Sequence, residues 1–160
     1  MINFAVAVER LLDHRLRERP VIIAHNASSR STVYDMSEES YQSGVRKGMT
    51  LGRARCYCRD AVVLPPHTDR YERAMRQLLK HVLPYSPLIE MTDHHGHLFI
   101  DVTGTGRLFD SPPDVAWRIR NRVRADMVGV DPNKLVAKVA MRRVKPDGEY
   151  IVGAPFRHCQ

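Results

Sequence analysis

The sequence has few cysteines, few aromatic residues and no long apolar run. Cysteine accounts for 3 of its 160 residues, and aromatic residues make up 7%. Cys56, Cys58 and Cys159 cannot pair completely, and a C-x-C spacing without a following histidine ligand does not favour structural zinc. Free thiols in a reducing compartment fit this pattern. No apolar stretch reaches the length of a membrane span, and the first residues lack a signal-peptide pattern, so we expect a cytoplasmic protein without membrane contact.

Acidic residues are outnumbered by basic ones. The formal net charge is +7, in a chain whose 43% hydrophobic content is ordinary for a globular protein. Most of the surplus lies in residues 105–146, which contain ten Lys or Arg and four Asp or Glu. A basic second half favours contact with a phosphate backbone, and solvated helix faces are the alternative.

Short elements are predicted for the first half of the chain. The apolar run over residues 2–8 predicts a buried strand, and residues 9–17 predict a short helix with Leu11, Leu12 and Leu16 inward. The elements predicted next are a strand at 20–24, its hairpin partner at 32–36, a helix from Ser37 to 44, a helix at 50–58 and a strand at 61–64.

Longer helices are predicted for the second half. The first spans residues 68–83, with apolar residues at helical spacing on one face: Tyr71, Met75, Leu78, Leu79 and Val82. Two strands follow at 88–92 and 97–102, joined by a hairpin turn. Helices at 112–125 and 132–144 have the N-caps Ser111 and Asp131, and a last strand covers 149–153. The predicted class is α+β, with four or five strands of mixed direction, two long helices on one face, and a lobe inserted after the first strand.

Five sequence blocks occur in an order that is typical of one family. They are A-V-E with L-R-E-R-P-V (7–9 and 16–21), G-V-R-K-G-M (44–49), P-L-I-E with D-V-T-G-T-G-R-L-F (87–90 and 101–109), P-N-K-L-V-A-K-V-A (132–140) and K-P-D-G (145–148). Together they resemble motifs of the Y-family translesion DNA polymerases (DinB/UmuC-like, ImpB/MucB/SamB) across almost the whole chain. The resemblance implies a palm formed by residues 1–9 and 67–160, with a fingers subdomain inserted at 10–66. Because the chain ends at Gln160, the family's thumb and little finger are expected to be absent and the DNA affinity of this chain alone to be weak.

The acidic residues of the family are missing from their expected positions. Nucleotide transfer needs two divalent metals held by carboxylates. In the family the first strand carries acids in a D-x-D pattern, and an adjacent D-E pair begins a later strand. Counted from the matching blocks, the first-strand acids fall at Ile2 and before Met1, and the D-E pair falls on Gly96 and His97. The resemblance therefore implies a catalytically degenerate protein, similar to the ImuB-type accessory proteins, with no cofactor.

Other differences from the family concern residues that contact the nucleotide. The family's sugar-selecting aromatic corresponds to Ala5, and the Tyr and Arg that hold the triphosphate correspond to Glu38 and Tyr41. Lys145 is retained, and the resemblance implies that it faces a triphosphate. The alternative for Lys145 is a surface lysine favoured by the dipole of the preceding helix.

The leading hypothesis is a DNA-binding accessory factor in DNA repair or translesion synthesis, with other repair or replication proteins as further partners. Its candidate phosphate contacts are Arg142, Arg143, Lys134 and Lys138. One alternative is an active nucleotidyltransferase that uses Mg²⁺ and displaced acids, for which Glu9, Asp93 and Asp101 are candidates. Another is a protein-interaction scaffold.

A histidine-rich segment raises the question of a metal site. Asp93, His94, His95 and His97 combine a carboxylate with imidazoles, which suit zinc or another transition metal. Their spacing matches no known metal signature, and hairpin turns are often polar. A polar turn is therefore the favoured interpretation, and the four residues stay as candidate ligands.

Overall fold

The computed structural model describes residues 3–92, 95–123, 127–131, 133–143 and 148–151, with 127–129, 140–143 and 148–151 described by their backbone. The chain divides into two compact units, Ile2–Arg76 and Gln77–Gln160, which we call the N-terminal unit and the C-terminal unit. Within the described ranges, no helix is both long enough and apolar enough to cross a membrane.

A three-stranded sheet organises the N-terminal unit. Its order is β2-β1-β3, with β1 antiparallel to β2 and parallel to β3. The central strand β1 is buried along its whole length, as expected of a strand covered on both faces. The elements are α1 (Phe4–Leu12), a 3-10 turn (His14–Leu16), β1 (Val21–Ala24), β2 (Val33–Met36), α2 (Glu38–Gln42), α3 (Leu51–Tyr57), β3 (Val62–Leu64) and the first turns of α4 (Thr68–Val82). The strands and helices predicted between residues 20 and 83 are confirmed.

The first element differs from its prediction. Residues 4–12 form the helix α1, so the strand predicted over 2–8 is wrong. A short, continuously apolar run fits a buried helix as well as a buried strand, and Phe4 and Val8 are indeed buried. The inward orientation predicted for Leu11 and Leu12 is also wrong, since they are 72% and 62% exposed at the end of α1.

The C-terminal unit contains two small sheets and two helices. Its elements are β4 (Ile89–Met91), β5 (Leu98–Ile100), α5 (Pro112–Val123), β6 (Met127–Val130), α6 (Lys134–Arg143) and β7 (Gly148–Ile151). Strands β4 and β5 are antiparallel, as the predicted hairpin requires, and β6 and β7 are parallel. Helices α5 and α6 both pack against β6. The mixed strand direction is confirmed, but the predicted number of four or five strands is wrong, because the described residues form seven strands in three sheets.

Side-chain caps determine where the later helices begin. The Ser37 hydroxyl accepts a hydrogen bond from the Ser40 amide, and the Ser111 hydroxyl accepts one from the Asp114 amide, so both predicted caps are confirmed. The cap of α6 differs. Asn133 Oδ1 accepts a hydrogen bond from the Leu135 amide at 2.9 Å and caps the helix. The predicted cap, Asp131, accepts instead from the Asn133 amide, which lies before the helix.

Candidate functional site

Helix α6 carries the basic residues that were predicted to contact phosphate. Lys134, Lys138 and Arg142 recur at steps of four, so the three positions lie on one side of the helix. Arg143 is the last residue of α6, next to Arg142. Helix α6 therefore arranges one row of cationic positions, while Lys145 lies outside the described residues.

The first residue of this row already has an anionic neighbour. The Lys134 ammonium forms an ion pair with the Glu90 carboxylate on β4, and it lies 4.8 Å from the centroid of the Phe99 ring. Both charged side chains are more than half exposed, so the pair is worth little in water. A phosphate can therefore compete with Glu90 for Lys134.

The histidine-rich turn between β4 and β5 is only partly within the described residues. Gly96 has φ +85°, a left-handed conformation that glycine adopts without strain, and the His97 carbonyl accepts a hydrogen bond from the Thr92 amide. Among the residues that the structure describes, no group of three or more His, Cys, Asp or Glu is arranged to hold a metal. Asp93 and His94 lie outside that part of the chain, so the metal site stays a prediction.

Asp101 follows directly after β5 and is exposed. Its Oδ1 accepts a hydrogen bond from the Thr103 amide at 2.8 Å, and hydrogen bonding by the Thr103 side chain and then by this amide lowers the pKa of the carboxyl group. The backbone of Asp101 is also bonded, with its amide donating to the Leu88 carbonyl and its carbonyl accepting from the Ser86 hydroxyl. The carboxylate thus closes a local turn at the edge of the hairpin.

A cavity of about 970 Å³ lies in the C-terminal unit. Strand β5 contributes Leu98 and Ile100 to its wall, and α5 contributes Val115 and Ile119. Lys134 and Lys138 lie at its margin, together with Asp131. Because aliphatic side chains form much of the lining, the cavity suits apolar groups better than a charged phosphate.

Glu9 lies at the centre of a polar cluster in the N-terminal unit. Its side chain is 5% exposed, and Oε1 accepts a hydrogen bond from the Tyr71 hydroxyl at 3.0 Å and lies 2.9 Å from His67 Nδ1. Its other oxygen, Oε2, accepts from the Arg70 guanidinium at 2.9 Å. Both carboxylate oxygens are therefore engaged, which satisfies a buried charge.

The same cluster changes the acidity of Tyr71. This side chain is fully buried, and burial together with the nearby charge of Glu9 raises the pKa of the Tyr71 hydroxyl. Glu9 was a sequence candidate for a displaced catalytic acid, but its partners were not predicted. The local signal for them was their place at the start of α4, where His67 directly precedes the helix and Arg70 and Tyr71 lie in its first turn.

A second buried carboxylate, Asp35 on β2, was also missed. It is 2% exposed, and its Oδ2 accepts a hydrogen bond from the Ala5 amide at 3.0 Å. Its Oδ1 forms an ion pair with the Lys47 ammonium at 2.8 Å. An anion at the first turn of a helix interacts favourably with free amides and the helix dipole, so Asp35 fills this role for α1.

Glu38 and Tyr41, which replace the family's triphosphate-binding residues, lie one turn apart on α2. Glu38 opens the helix and accepts a hydrogen bond from Gln42 at 3.3 Å. Tyr41, three residues later, is exposed, with the Arg46 guanidinium 4.0 Å above its ring centroid. A carboxylate and a phenol thus stand at the two positions that the resemblance associates with triphosphate binding.

Residues 1–142 match the family model described as the impB/mucB/samB family. A protein named DNA polymerase IV from Pelotomaculum thermopropionicum is 32% identical over 161 residues, covering 97% of this chain and 40% of that protein. Another of the same name, from Desulfatibacillum aliphaticivorans, is 35% identical over 159 residues, covering 96% and 40%. The chain thus spans about two fifths of the length of these curated relatives.

Solved structures share the same architecture. The one titled "Insertion ternary complex of Dbh DNA polymerase" has a TM-score of 0.82 at 22% identity and matches 94% of this chain and 46% of that chain. The crystal structure of DinB from Sulfolobus solfataricus has a TM-score of 0.78 at 20% identity, with the same coverage. At these identities the likeness concerns the fold, and it confirms the predicted α+β palm-like architecture.

Proposed function

Because the chain belongs to the impB/mucB/samB family and has the Y-family polymerase fold, we propose that it binds DNA in repair or translesion synthesis without adding nucleotides itself. The proposal includes the assignment of residues 10–66 to a fingers-like insertion and of 1–9 with 67–160 to the palm. The relatives named DNA polymerase IV support a role in DNA repair or translesion synthesis. The residues of this chain support the loss of nucleotide transfer.

The observation that carries the proposal is the chemistry at positions 96 and 97. The family's adjacent D-E pair corresponds here to Gly96, in a left-handed turn, and to His97. Magnesium prefers oxygen ligands, above all carboxylates, and a glycine with an imidazole offers no side-chain oxygen. The residues present therefore do not fit a pair of magnesium ions at this hairpin.

Charge near α1 and α2 also opposes a triphosphate. The Asp35 carboxylate occupies the Ala5 amide at the start of α1, and Glu38 stands where the family has a tyrosine. The Asp35 charge is paired with Lys47, so Glu38 is the carboxylate that repels a polyphosphate at α2. Tyr41, at the position of the family's arginine, is itself uncharged.

The alternative of an active nucleotidyltransferase finds less support. Both oxygens of Glu9 are held by Tyr71, His67 and Arg70, and Oδ1 of Asp101 is bonded to the Thr103 amide. These two candidate acids have structural partners that a metal would have to replace. A pure protein-interaction scaffold remains the second alternative, and it is distinguished by an absence of DNA binding.

Primer extension tests the loss of nucleotide transfer. With Mg²⁺ or Mn²⁺, a primed template and all four deoxynucleoside triphosphates, we expect no product above that of a reaction without protein. An active polymerase in parallel serves as the positive control. Template-directed extension that Asp93→Ala abolishes would establish the alternative and contradict the proposal.

The cationic row of α6 is the proposed contact with DNA. Lysine ammonium groups neutralise phosphates and release counterions, so binding of this kind weakens as salt rises. Lys138 is half-buried beside the cavity, and Lys134 exchanges Glu90 for a phosphate. Arg142 continues the row in the last turn, and Arg143 follows it on another side of the helix.

A salt titration measures this contact. We expect Lys134→Ala and Lys138→Ala each to weaken duplex DNA binding and to reduce the slope of log affinity against log salt by about 1. Glu90→Gln should strengthen binding, because it releases Lys134 from its ion pair. Fluorescence anisotropy with labelled primer-template DNA gives the affinities, and Arg17→Ala, which changes net charge by the same amount, is the matched control. An unchanged slope in both lysine variants would show that α6 does not contact phosphate.

A further inference from the structure

An exposed surface of the N-terminal unit combines two tyrosines with two arginines. We call it the tyrosine–arginine surface and define it by Tyr41, Gly44, Arg46, Arg53 and Tyr57. The tyrosines are 42% and 47% exposed, and both arginines are exposed. Aromatic rings of this size are usually buried more deeply in a core, so two neighbouring exposed rings mark a candidate binding surface.

Tyr41 and Arg46 are held together by the loop after α2. The Arg46 guanidinium lies 4.0 Å from the Tyr41 ring centroid, and its NH1 donates to the carbonyls of Tyr41 at 2.6 Å and Val45 at 2.8 Å. The Tyr41 carbonyl also accepts from the Gly44 amide at 3.0 Å. The arginine is therefore fixed in place before any ligand binds, which lowers the entropy cost of binding.

Tyr57 and Arg53 form the second pair, one turn apart at the end of α3. The Arg53 guanidinium lies 6.0 Å from the Tyr57 ring centroid. Gly44 connects the two pairs, because a Cβ atom there would lie only 3.0 Å from the Tyr57 ring. With φ +106°, Gly44 allows the loop to turn tightly against this ring.

The charged residues that define the tyrosine–arginine surface are basic, and Glu38 is an acidic neighbour one turn before Tyr41 on α2. Residues 40–59 contain five basic residues and no Asp or Glu. One of them, Lys47, is paired with Asp35, whereas Arg46 and Arg53 face the tyrosine rings. The surface therefore attracts anions while it offers two aromatic rings, the combination that single-stranded nucleic acid requires.

We propose that the tyrosine–arginine surface binds single-stranded nucleic acid. Unstacked bases stack on the exposed rings of Tyr41 and Tyr57, and the guanidinium groups of Arg46 and Arg53 contact the adjoining phosphates. A duplex hides its base faces and satisfies only the phosphate contacts, so the surface prefers single strands. This site involves neither α6 nor nucleotide transfer, and it goes beyond the proposed function.

Anisotropy titrations with labelled oligothymidylate, oligouridylate and a blunt duplex test the proposal. We expect Tyr41→Leu and Tyr57→Leu each to weaken single-strand binding by about tenfold, with an unchanged salt slope, because leucine keeps the bulk but removes the π face. Arg46→Gln and Arg53→Gln should weaken binding and reduce the slope by about 0.7 each. Duplex binding should not respond to either tyrosine variant.

The controls separate stacking from charge. Arg17→Gln removes an exposed charge elsewhere in the same unit and should change single-strand affinity by less than about twofold. Urea unfolding confirms that each variant is folded, and the exposed Tyr41 carries the test alone if Tyr57→Leu unfolds. Single-strand affinity that survives both tyrosine changes, or no single-strand binding by the wild type, would overturn the proposal. A failure of the α6 salt titration would leave this result unaffected.

Discussion

Replacement of Glu9 by alanine should lower the free energy of unfolding by about 2–4 kcal/mol, because it leaves one buried hydroxyl unsatisfied and opens a space around a 5% exposed side chain. The Tyr71 hydroxyl would be left buried without its acceptor, and the Arg70 guanidinium would lose its carboxylate. Urea unfolding measures the change. A two-state transition allows the unfolding curve to be converted to a free energy of unfolding.

A conservative variant distinguishes the charge of Glu9 from its hydrogen bonds. Glu9→Gln keeps one acceptor oxygen for Tyr71 but replaces the other by an amide that faces Arg70, so we expect a smaller loss than for alanine. Glu72→Ala, which changes an exposed residue of α4, is the matched control and should alter stability by less than about 0.5 kcal/mol. Equal stability of Glu9→Ala and the wild type would contradict the cluster as described.

The direction of the pH dependence follows from Tyr71. Its folded pKa is raised by burial, whereas in the unfolded chain it ionises near the ordinary value of about 10. Stability from the neutral hydroxyl is present below that pH and is lost as pH rises above it. Unfolding followed from pH 8 to 11 should therefore show a steeper alkaline loss for the wild type than for Tyr71→Phe.

Features that depend on neighbours in sequence were predictable. Ser37 caps α2 because its hydroxyl reaches an amide three residues on, and the β4–β5 hairpin follows from two apolar stretches around a turn with glycine. The buried face of α4 follows from helical spacing, with Tyr71, Met75 and Val82 buried. Because these signals are local, they can be recognised from the sequence alone.

Features that depend on contacts between residues far apart in sequence were not predictable. Nothing in the run F-A-V-A-V distinguishes a buried helix from a strand; the Ala5 amide finds its acceptor, Asp35, thirty residues later. The partners of Glu9 lie about sixty residues away, in the first turn of α4 and directly before it. Buried polar networks of this kind are specified by tertiary packing, and a sequence read along its length does not reveal them.

The candidate site was predictable only where family motifs constrain it. The motifs place Gly96 and His97 in the hairpin, and the structure describes both residues there. Asp93, His94 and Lys145 lie outside the described residues and stay predictions. The tyrosine–arginine surface could not be read from spacing, because Gly44 brings Tyr57 close to the Tyr41 loop only once α3 has folded back.

Replacement of Asp35 by alanine should lower the free energy of unfolding by about 2 kcal/mol or more. The change removes the acceptor of the Ala5 amide, an interaction equivalent to a helix cap worth about 1 kcal/mol, and it leaves a buried space on β2. It also leaves the Lys47 ammonium without its carboxylate. Thermal or urea unfolding of the variant beside the wild type gives the difference.

A double-mutant cycle separates the two roles of Asp35. Lys47 is half exposed, so its pair with Asp35 should contribute about 1 kcal/mol or less, and Lys47→Met should cost little. Asp35→Asn keeps an oxygen for the Ala5 amide and should therefore be milder than Asp35→Ala. If the cap dominates, the Asp35→Ala loss will persist in a Lys47→Met background. Loss of most of that effect would mean instead that the ion pair stabilises this corner of the unit, and that the start of α1 does not depend on an anion supplied by the chain.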